Sequence, residues 1–175
     1  FILSISRKLK LQKKKIIKTI NNFKGLRFRQ QIVYKNNNIT CVNDSKATSF
    51  ASSINSINSL QKVFWIVGGI PKKGDRFILK KNECKNISVY IFGKNKNFFV
   101  KQFKNKLPFY YFNNLKEVVQ KIFLDIKIKS NLHKTILFSP AAASFDSFKN
   151  FEERGNYFNL LLKKYKFKKK INAIS

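Results

Sequence analysis

Apolar positions along the chain alternate between a helical and an extended period. From Ile2 to Leu11 and from Gln12 to Phe23 they recur at helical spacing, the second segment gathering Ile16, Ile17, Ile20 and Phe23 on one face. Gly25 begins a linker. Gln30 to Tyr34 and Ile39 to Val42, separated by the turn-prone Lys35 to Asn38, read as a β-hairpin. A helix over about Phe50 to Ser59 follows, then continuous apolar runs at Val63 to Val67 and Ile87 to Phe92 that predict buried strands. A helix near Phe98 to Asn105 leads to a short strand at Phe109 to Phe112. Leu115, Val118, Val119, Ile122, Phe123 and Ile126 then mark a long amphipathic helix before a strand at Lys134 to Phe138 and a last helix, with Phe151, Phe158, Leu161, Leu162 and Tyr165 near one face. Strands alternating with helices predict an α/β fold. The expected form is a Rossmann-like, mostly parallel sheet with helices on both faces and an N-terminal β-hairpin.

Ligands of such sheets collect beyond the carboxyl ends of the strands, and three unusual segments fall there. Ser139 to Gly155 leaves the last strand through Pro140 and three alanines, which let a ligand approach the backbone, while Ser144 and Ser147 supply hydroxyls. The helix that follows offers unpaired amides and a positive partial charge, suited to a carboxylate or phosphate. A well-capped helix after a strand has the same pattern. Asn43 to Thr48 (NDSKAT) lies between a strand and a helix, so Ser45, Thr48 and Ser49 are candidate caps whose neighbouring amides would be open to an anion. Asp44 has two readings there, as a guide for Lys46 or an acceptor from a ribose hydroxyl. Phe64 to Asp75 (FWIVGGIPKKGD) ends a strand on a glycine pair and carries Lys72 and Lys73, whose charge could neutralise a buried carboxylate; by itself it also reads as a plain surface turn.

The formal charge of +29 raises nucleic acid or an anionic membrane as a partner. The composition argues against both. Of 37 basic residues 32 are Lys and five are Arg, scattered along the chain in a background rich in Asn, Ile and Phe, whereas base readout and bidentate phosphate contacts favour Arg. The tightest clusters, Lys13 to Lys15 and Lys163 to Lys170, read as solvated faces near the two ends. The acids are more telling: of eight, Asp44, Asp146, Glu152 and Glu153 lie inside two of the three segments, although Glu152 and Glu153 also suit a first helical turn. Cys41 and Cys84 read as free thiols, and a cytoplasmic location is expected because no signal pattern or spanning stretch occurs. With 175 residues the chain holds one core; Phe1 in place of an initiator, and the absence of Met, suggest a piece of a longer reading frame. Dinucleotide (Gly-x-Gly-x-x-Gly), P-loop (Gly-x-x-x-x-Gly-Lys-Ser/Thr) and nucleophile-elbow (Gly-x-Ser-x-Gly) patterns are all missing. His133 and Ser139 lack a supporting acid at a recognisable spacing, which excludes them as a nucleophilic pair.

The three segments, in this order, resemble the signatures of the UDP-N-acetylmuramoyl-L-alanine:D-glutamate ligase family of peptidoglycan synthesis. Phe23 to Arg29 (FKGLRFR) is similar to the place where that family's central domain hands over to its C-terminal domain. The resemblance implies that residues 1–27 close a central ATPase domain and its linker, and that 28–175 form the D-glutamate-binding C-terminal domain. It implies contacts of Arg29 and Asp44 with ATP, Lys46 and Thr48 at the substrate site, and a lysine of the glycine loop, Lys72 or alternatively Lys73, on a D-glutamate carboxylate. Ser144, the backbone of Phe145, and Phe151 complete the D-glutamate site. Ser49 stands where the family usually has Asn, Ala142 where Cys is frequent, and the glycine loop is one residue longer than expected. The implied reaction is ATP-dependent amide formation through an acyl phosphate. ATP and Mg2+ would be held mainly by preceding domains of the same polypeptide, with no catalytic residue and no metal ligand in this chain. The implied partners are UDP-N-acetylmuramoyl-L-alanine, D-glutamate and ATP, acting on a monomer with neither nucleic acid nor membrane bound. A chain without a P-loop is expected to be inactive alone. The alternatives are a lysine-rich nucleic-acid-binding module and an orphaned domain that folds without acting.

Overall fold

The computed structural model describes residues 1–58, 60–128 and 133–171. Two short helices, α1 (Ile2–Lys8) and α2 (Lys13–Asn22), precede the sheet. The apolar face expected of α2 exists but is open: the helix has no buried residue, and Ile17, Ile20 and the following Phe23 are all exposed.

Six strands form one sheet: β1 (Gln31–Lys35), β2 (Ile39–Asn43), β3 (Val63–Gly68), β4 (Ile87–Phe92), β5 (Phe109–Phe112) and β6 (Lys134–Phe138), in the order β1-β2-β6-β3-β4-β5. Only the hairpin partner β1 runs antiparallel; the other four pairings are parallel. β2 and β6 are buried at every position, as central strands covered on both faces must be.

Helices cover both faces. α3 (Phe50–Ile57) and α4 (Lys96–Phe103) pack on one, where Trp65, Phe77, Phe99 and Phe103 meet the Phe50 ring edge to face. α5 (Leu115–Ile128) and α6 (Phe151–Ile171) pack on the other with Ile66, Tyr90, Phe138, Phe158 and Leu161. Edge-to-face ring pairs of this kind add to the area term of burial. Of the face expected on α6, Phe158, Leu161 and Leu162 are buried and Tyr165 packs beside them, whereas Phe151 turns to Phe28 at a ring separation of 6.3 Å.

Between β3 and β4, where the sequence predicts no helix, the chain crosses through irregular structure and a 3-10 turn at Lys81–Cys84, with Phe77, Leu79 and Cys84 buried in the core. α3 ends at Ile57 rather than Ser59, a position outside the described residues; α4 starts at Lys96 and ends at Phe103, two residues ahead of expectation at each end. Cys41 and Cys84 are free and buried, and burial pushes the Cys41 thiol up to about 12, which leaves it protonated and unreactive. Among the described residues no helix is long and apolar enough to cross a membrane.

Candidate functional site

The three segments singled out in the sequence meet where β2, β6 and β3 end. Asp44, the first residue after β2, donates its amide to Phe138 O at 2.7 Å, and its carboxylate is buried beneath the loops. Oδ1 accepts from the Gln30 amide at 3.1 Å; Oδ2 accepts from Ser56 and Ser139 hydroxyls, each at 2.9 Å. Burial raises the Asp44 carboxyl above its ordinary value of 3.8, against the opposing pull of Ser139, Ser56, the Gln30 amide and the nearby Arg29 charge. Ser139 is fixed in turn: its carbonyl accepts from Trp65 Nε1 at 2.7 Å and from Ser53 Oγ at 3.2 Å. Asp44 therefore binds the loop after β2 to the loop after β6, and the suggested pairing with Lys46 does not form.

Asn43 and Ser45 extend this floor to α6. Asn43 Nδ2 donates to Gly155 O and to Asn159 Oδ1, while Ser45 Oγ donates to Phe151 O. Arg154 occupies the centre, with 0% of its surface exposed. Its Nη2 reaches Ser45 O at 2.8 Å, Nε reaches Ser45 Oγ at 3.1 Å, and Nη1 points to Gly68 O at 3.4 Å. Burial pulls the guanidinium down to about 10, opposed by Asp146, so it remains charged at neutral pH. The two Asp146 oxygens are shielded and accept no hydrogen bond of good geometry among the described residues; burial raises that carboxyl despite Arg154 and Lys94. Glycine at 69 is required here, because an added Cβ would fall 2.2 Å from Ala143 O and 3.0 Å from Arg154 Nη1. The glycine loop then zips to the alanine loop through a mutual pair of 2.9 Å bonds between Ile70 and Ala143.

Above the floor lies a rim. Lys46 and Phe151 come together, the ammonium 3.9 Å from the ring centroid, a cation–π contact. Thr48, Lys72 and Lys73 are exposed, as is Arg29, and Phe145 is 70% exposed. Ser144 is buried, with its carbonyl accepting from the Ser147 and Phe148 amides in a tight turn. The Lys72 turn is delivered to the start of α3 by Asp75, whose Oδ2 accepts from the Phe50 amide at 2.8 Å.

That contact qualifies one expectation. Of the first-turn amides of α3, two are already taken, Phe50 by Asp75 and Ser52 at 3.3 Å by Ser49, the actual cap, which narrows the opening expected for an anion. At α6, Asn150 and Glu153 form a reciprocal cap, with Glu153 N to Asn150 Oδ1 at 2.8 Å and Lys149 N to Glu153 Oε2 at 2.6 Å. His133 and Ser139 flank opposite ends of β6, so they cannot act together; the His133 ring bonds Thr40 Oγ1 and Asn37 O. Two concavities lie elsewhere: a groove of about 800 Å³ between the hairpin and α6, lined by Ile32, Tyr34, Phe123 and Leu160, and one of about 410 Å³ at the amino ends of the strands, lined by Lys62, Tyr90 and Lys134.

Sequence reasoning missed Arg154, Ser53, Ser56 and the capping role of Asp75. The signal for Arg154 was present: an Arg kept in a chain with 32 Lys indicates a place where the planar fork is needed.

No protein-family model matches the chain. The UDP-N-acetylmuramoylalanine–D-glutamate ligase of Rickettsia felis is 36% identical over 162 residues, 93% of this chain and 36% of the relative. The chain is related to the D-glutamate ligases. The Buchnera aphidicola ligase of the same name is 40% identical over 166 residues, 91% of this chain and 36% of its own length. This chain thus spans about a third of the ligases it matches. Among solved structures, the MurF ligase of Thermotoga maritima in complex with ADP superposes with a TM-score of 0.59 over 93% of this chain and 37% of its own, at 16% identity, which shows a shared fold.

Proposed function

We propose that this chain is the D-glutamate-binding third of an ATP-dependent ligase that joins D-glutamate to UDP-N-acetylmuramoyl-L-alanine in peptidoglycan synthesis. One observation carries the reading: the segments that match the D-glutamate ligases, distant in sequence, are hydrogen-bonded into a single floor at the carboxyl ends of β2, β6 and β3. Residues 1–27 then close the preceding ATPase domain, in keeping with the open apolar face of α2, and 28–175 form the C-terminal domain. In the reaction, a carboxylate oxygen of the sugar-nucleotide substrate attacks the γ-phosphorus of ATP and ADP leaves. The D-glutamate amine next attacks the acyl carbon of the resulting acyl phosphate; phosphate leaves and the amine loses a proton. Neither step needs a nucleophile from this chain.

The chain's part is capture and orientation. D-glutamate brings two carboxylates, and the cations at the rim, the exposed Lys72 or Lys73 with the Phe151-bound Lys46, supply charge-assisted bonds, while Ser144, the Phe145 backbone, Thr48 and Phe151 fix its orientation. Arg29 serves ATP. Asp44, whose carboxylate is fully engaged, serves it by holding the loop rather than as a free acceptor. Among the described residues no three His, Cys, Asp or Glu side chains are placed to hold a metal. On this reading Mg2+ is bound mainly by the preceding domains together with the ATP phosphates. The working enzyme is a cytoplasmic monomer.

Fusing this chain to the preceding two thirds of the Rickettsia felis ligase tests the proposal. ADP release that requires D-glutamate and is not supported by L-glutamate is expected, with none from the 175-residue chain alone. Ser144→Ala should raise the KM for D-glutamate about tenfold while leaving the fold intact. A folded fusion that turns over without D-glutamate, or not at all, would sink the reading.

A further inference from the structure

We propose that Arg154 is the positioning residue of the D-glutamate site, holding the loop after β2 and the glycine loop after β3 in fixed register so that Lys46 and the Lys72 turn face one ligand. This deepens the functional reading above and rests on it.

The argument starts from what the guanidinium touches. All three of its hydrogen bonds go to neutral oxygens, two on Ser45 in the loop after β2 and one, the longest at 3.4 Å, on Gly68, the last residue of β3 from which the glycine loop departs. Ser45 immediately precedes Lys46, whose amide bonds Phe28 O at 3.1 Å and whose ammonium rests on Phe151. Gly68 immediately precedes Gly69 and the Ile70–Ala143 bridge, the root of the turn that carries Lys72. One rigid fork therefore spans the two loops from within α6, which also supplies Phe151.

Stability alone does not account for such a group. A fully buried cation without a carboxylate bonded to it is costly, and apolar residues of equal volume commonly serve a core as well or better. Its half-buried anionic neighbour, Asp146, acts on it through charge alone and makes no hydrogen bond or close ion pair with the guanidinium. What the fork supplies is geometry, because five donors in one plane can hold two backbone carbonyls and a hydroxyl at set angles, which a lysine cannot do. Gly155, next in α6, serves the same docking: a Cβ there would meet the Phe28 ring at 2.4 Å, and Phe28 is the residue whose carbonyl receives the Lys46 amide.

The experiment compares the wild-type 175-residue chain with Arg154→Lys and with the milder Ser45→Ala, which removes one acceptor and leaves the arginine in place. Amide hydrogen exchange is followed by NMR at Lys46 and Ile70 and, as a reference, at Val42 and Leu137 within the sheet. Exchange at Lys46 and Ile70 should rise at least tenfold in Arg154→Lys and less in Ser45→Ala, with the sheet amides unchanged. In the fusion enzyme the same Arg154→Lys change should raise the KM for D-glutamate at least tenfold, with kcat within threefold of wild type. Unchanged loop exchange, or a rise shared equally by the sheet, overturns the proposal; so does loosening of the loops with no change in KM. A wild-type fusion lacking D-glutamate-dependent turnover overturns the ligase reading instead, and the role of Arg154 in holding the two loops is then decided by the exchange data alone.

Discussion

The floor and the rim of this site are built in opposite ways. On the floor, Asp44, Ser45, Ser139 and Arg154 are buried and their polar atoms are committed to one another or to backbone. On the rim, Thr48, Lys72, Lys73 and Phe145 stand in solvent. A floor atom is already satisfied and has little to offer a ligand; a rim group is free to bind but does little for the fold. Substitutions should therefore separate stability from binding according to layer.

The sharpest break comes at Gly69. Adding a methyl group there collides with Ala143 O and opens the paired bonds of Ile70, so Gly69→Ala should destabilise the chain by about 3 to 4 kcal/mol in urea titrations. A loss below about 1 kcal/mol would mean that the two loops are not rigidly zipped. Asp44→Asn comes next, at about 2 kcal/mol, because an amide presents an N–H to groups that now donate to a carboxylate.

Asp44 also gives the comparison a pH signature. Its carboxyl is raised in the folded state, so from its ordinary value of 3.8 upward to its folded value the folded protein retains a proton the unfolded chain has lost. The contribution of this group to stability is then greatest in acid and falls as pH rises through that window. The stability advantage of wild type over Asp44→Asn should shrink accordingly between acid and neutral pH; an advantage that grows instead would show a depressed carboxyl.

Asp75 lies between the layers. Asp75→Ala removes the acceptor from the α3 N-terminus and should cost about 1 kcal/mol, while freeing the Lys72 turn and weakening D-glutamate capture as well. At the far end, Lys72→Ala and Thr48→Ala should change stability by less than about 0.5 kcal/mol and appear only in the KM for D-glutamate. A Lys72→Ala variant with unchanged KM transfers the role to Lys73.

What was legible in the sequence follows the same division. β4, β5 and β6 were found to the residue because short runs rich in β-branched and aromatic residues mark strands, whether buried, as β6 is, or at the edge, as β5 is. The three segments were likewise found by their place after strands. The burial of the β3–β4 connection was not, since Phe77, Leu79 and Cys84 are too sparse to show a period and join the core only through the tertiary packing that sets Phe77 against Phe50, Trp65 and Phe103. Nor could spacing reveal that Asp75 caps a helix 25 residues earlier, or that an arginine beside two glutamates in a first helical turn would point inward. Those contacts depend on the sheet order, which local sequence does not encode.

That order also governs how the site comes into being. β6 is the last strand in the chain, yet it lies between β2 and β3, and Ile39 pairs with Lys134 across most of the polypeptide. Contacts of such long separation form slowly, because the intervening loop must close before they return any free energy. During synthesis, a chain that has not yet reached Lys134 consists of a hairpin and a three-stranded piece, each with an unpaired edge, and Asp44 waits without Ser139. Such edges invite pairing with other chains. The site therefore forms only after β6 has joined the sheet, and a chain halted before Lys134 lacks the Asp44–Ser139 bond that closes its floor.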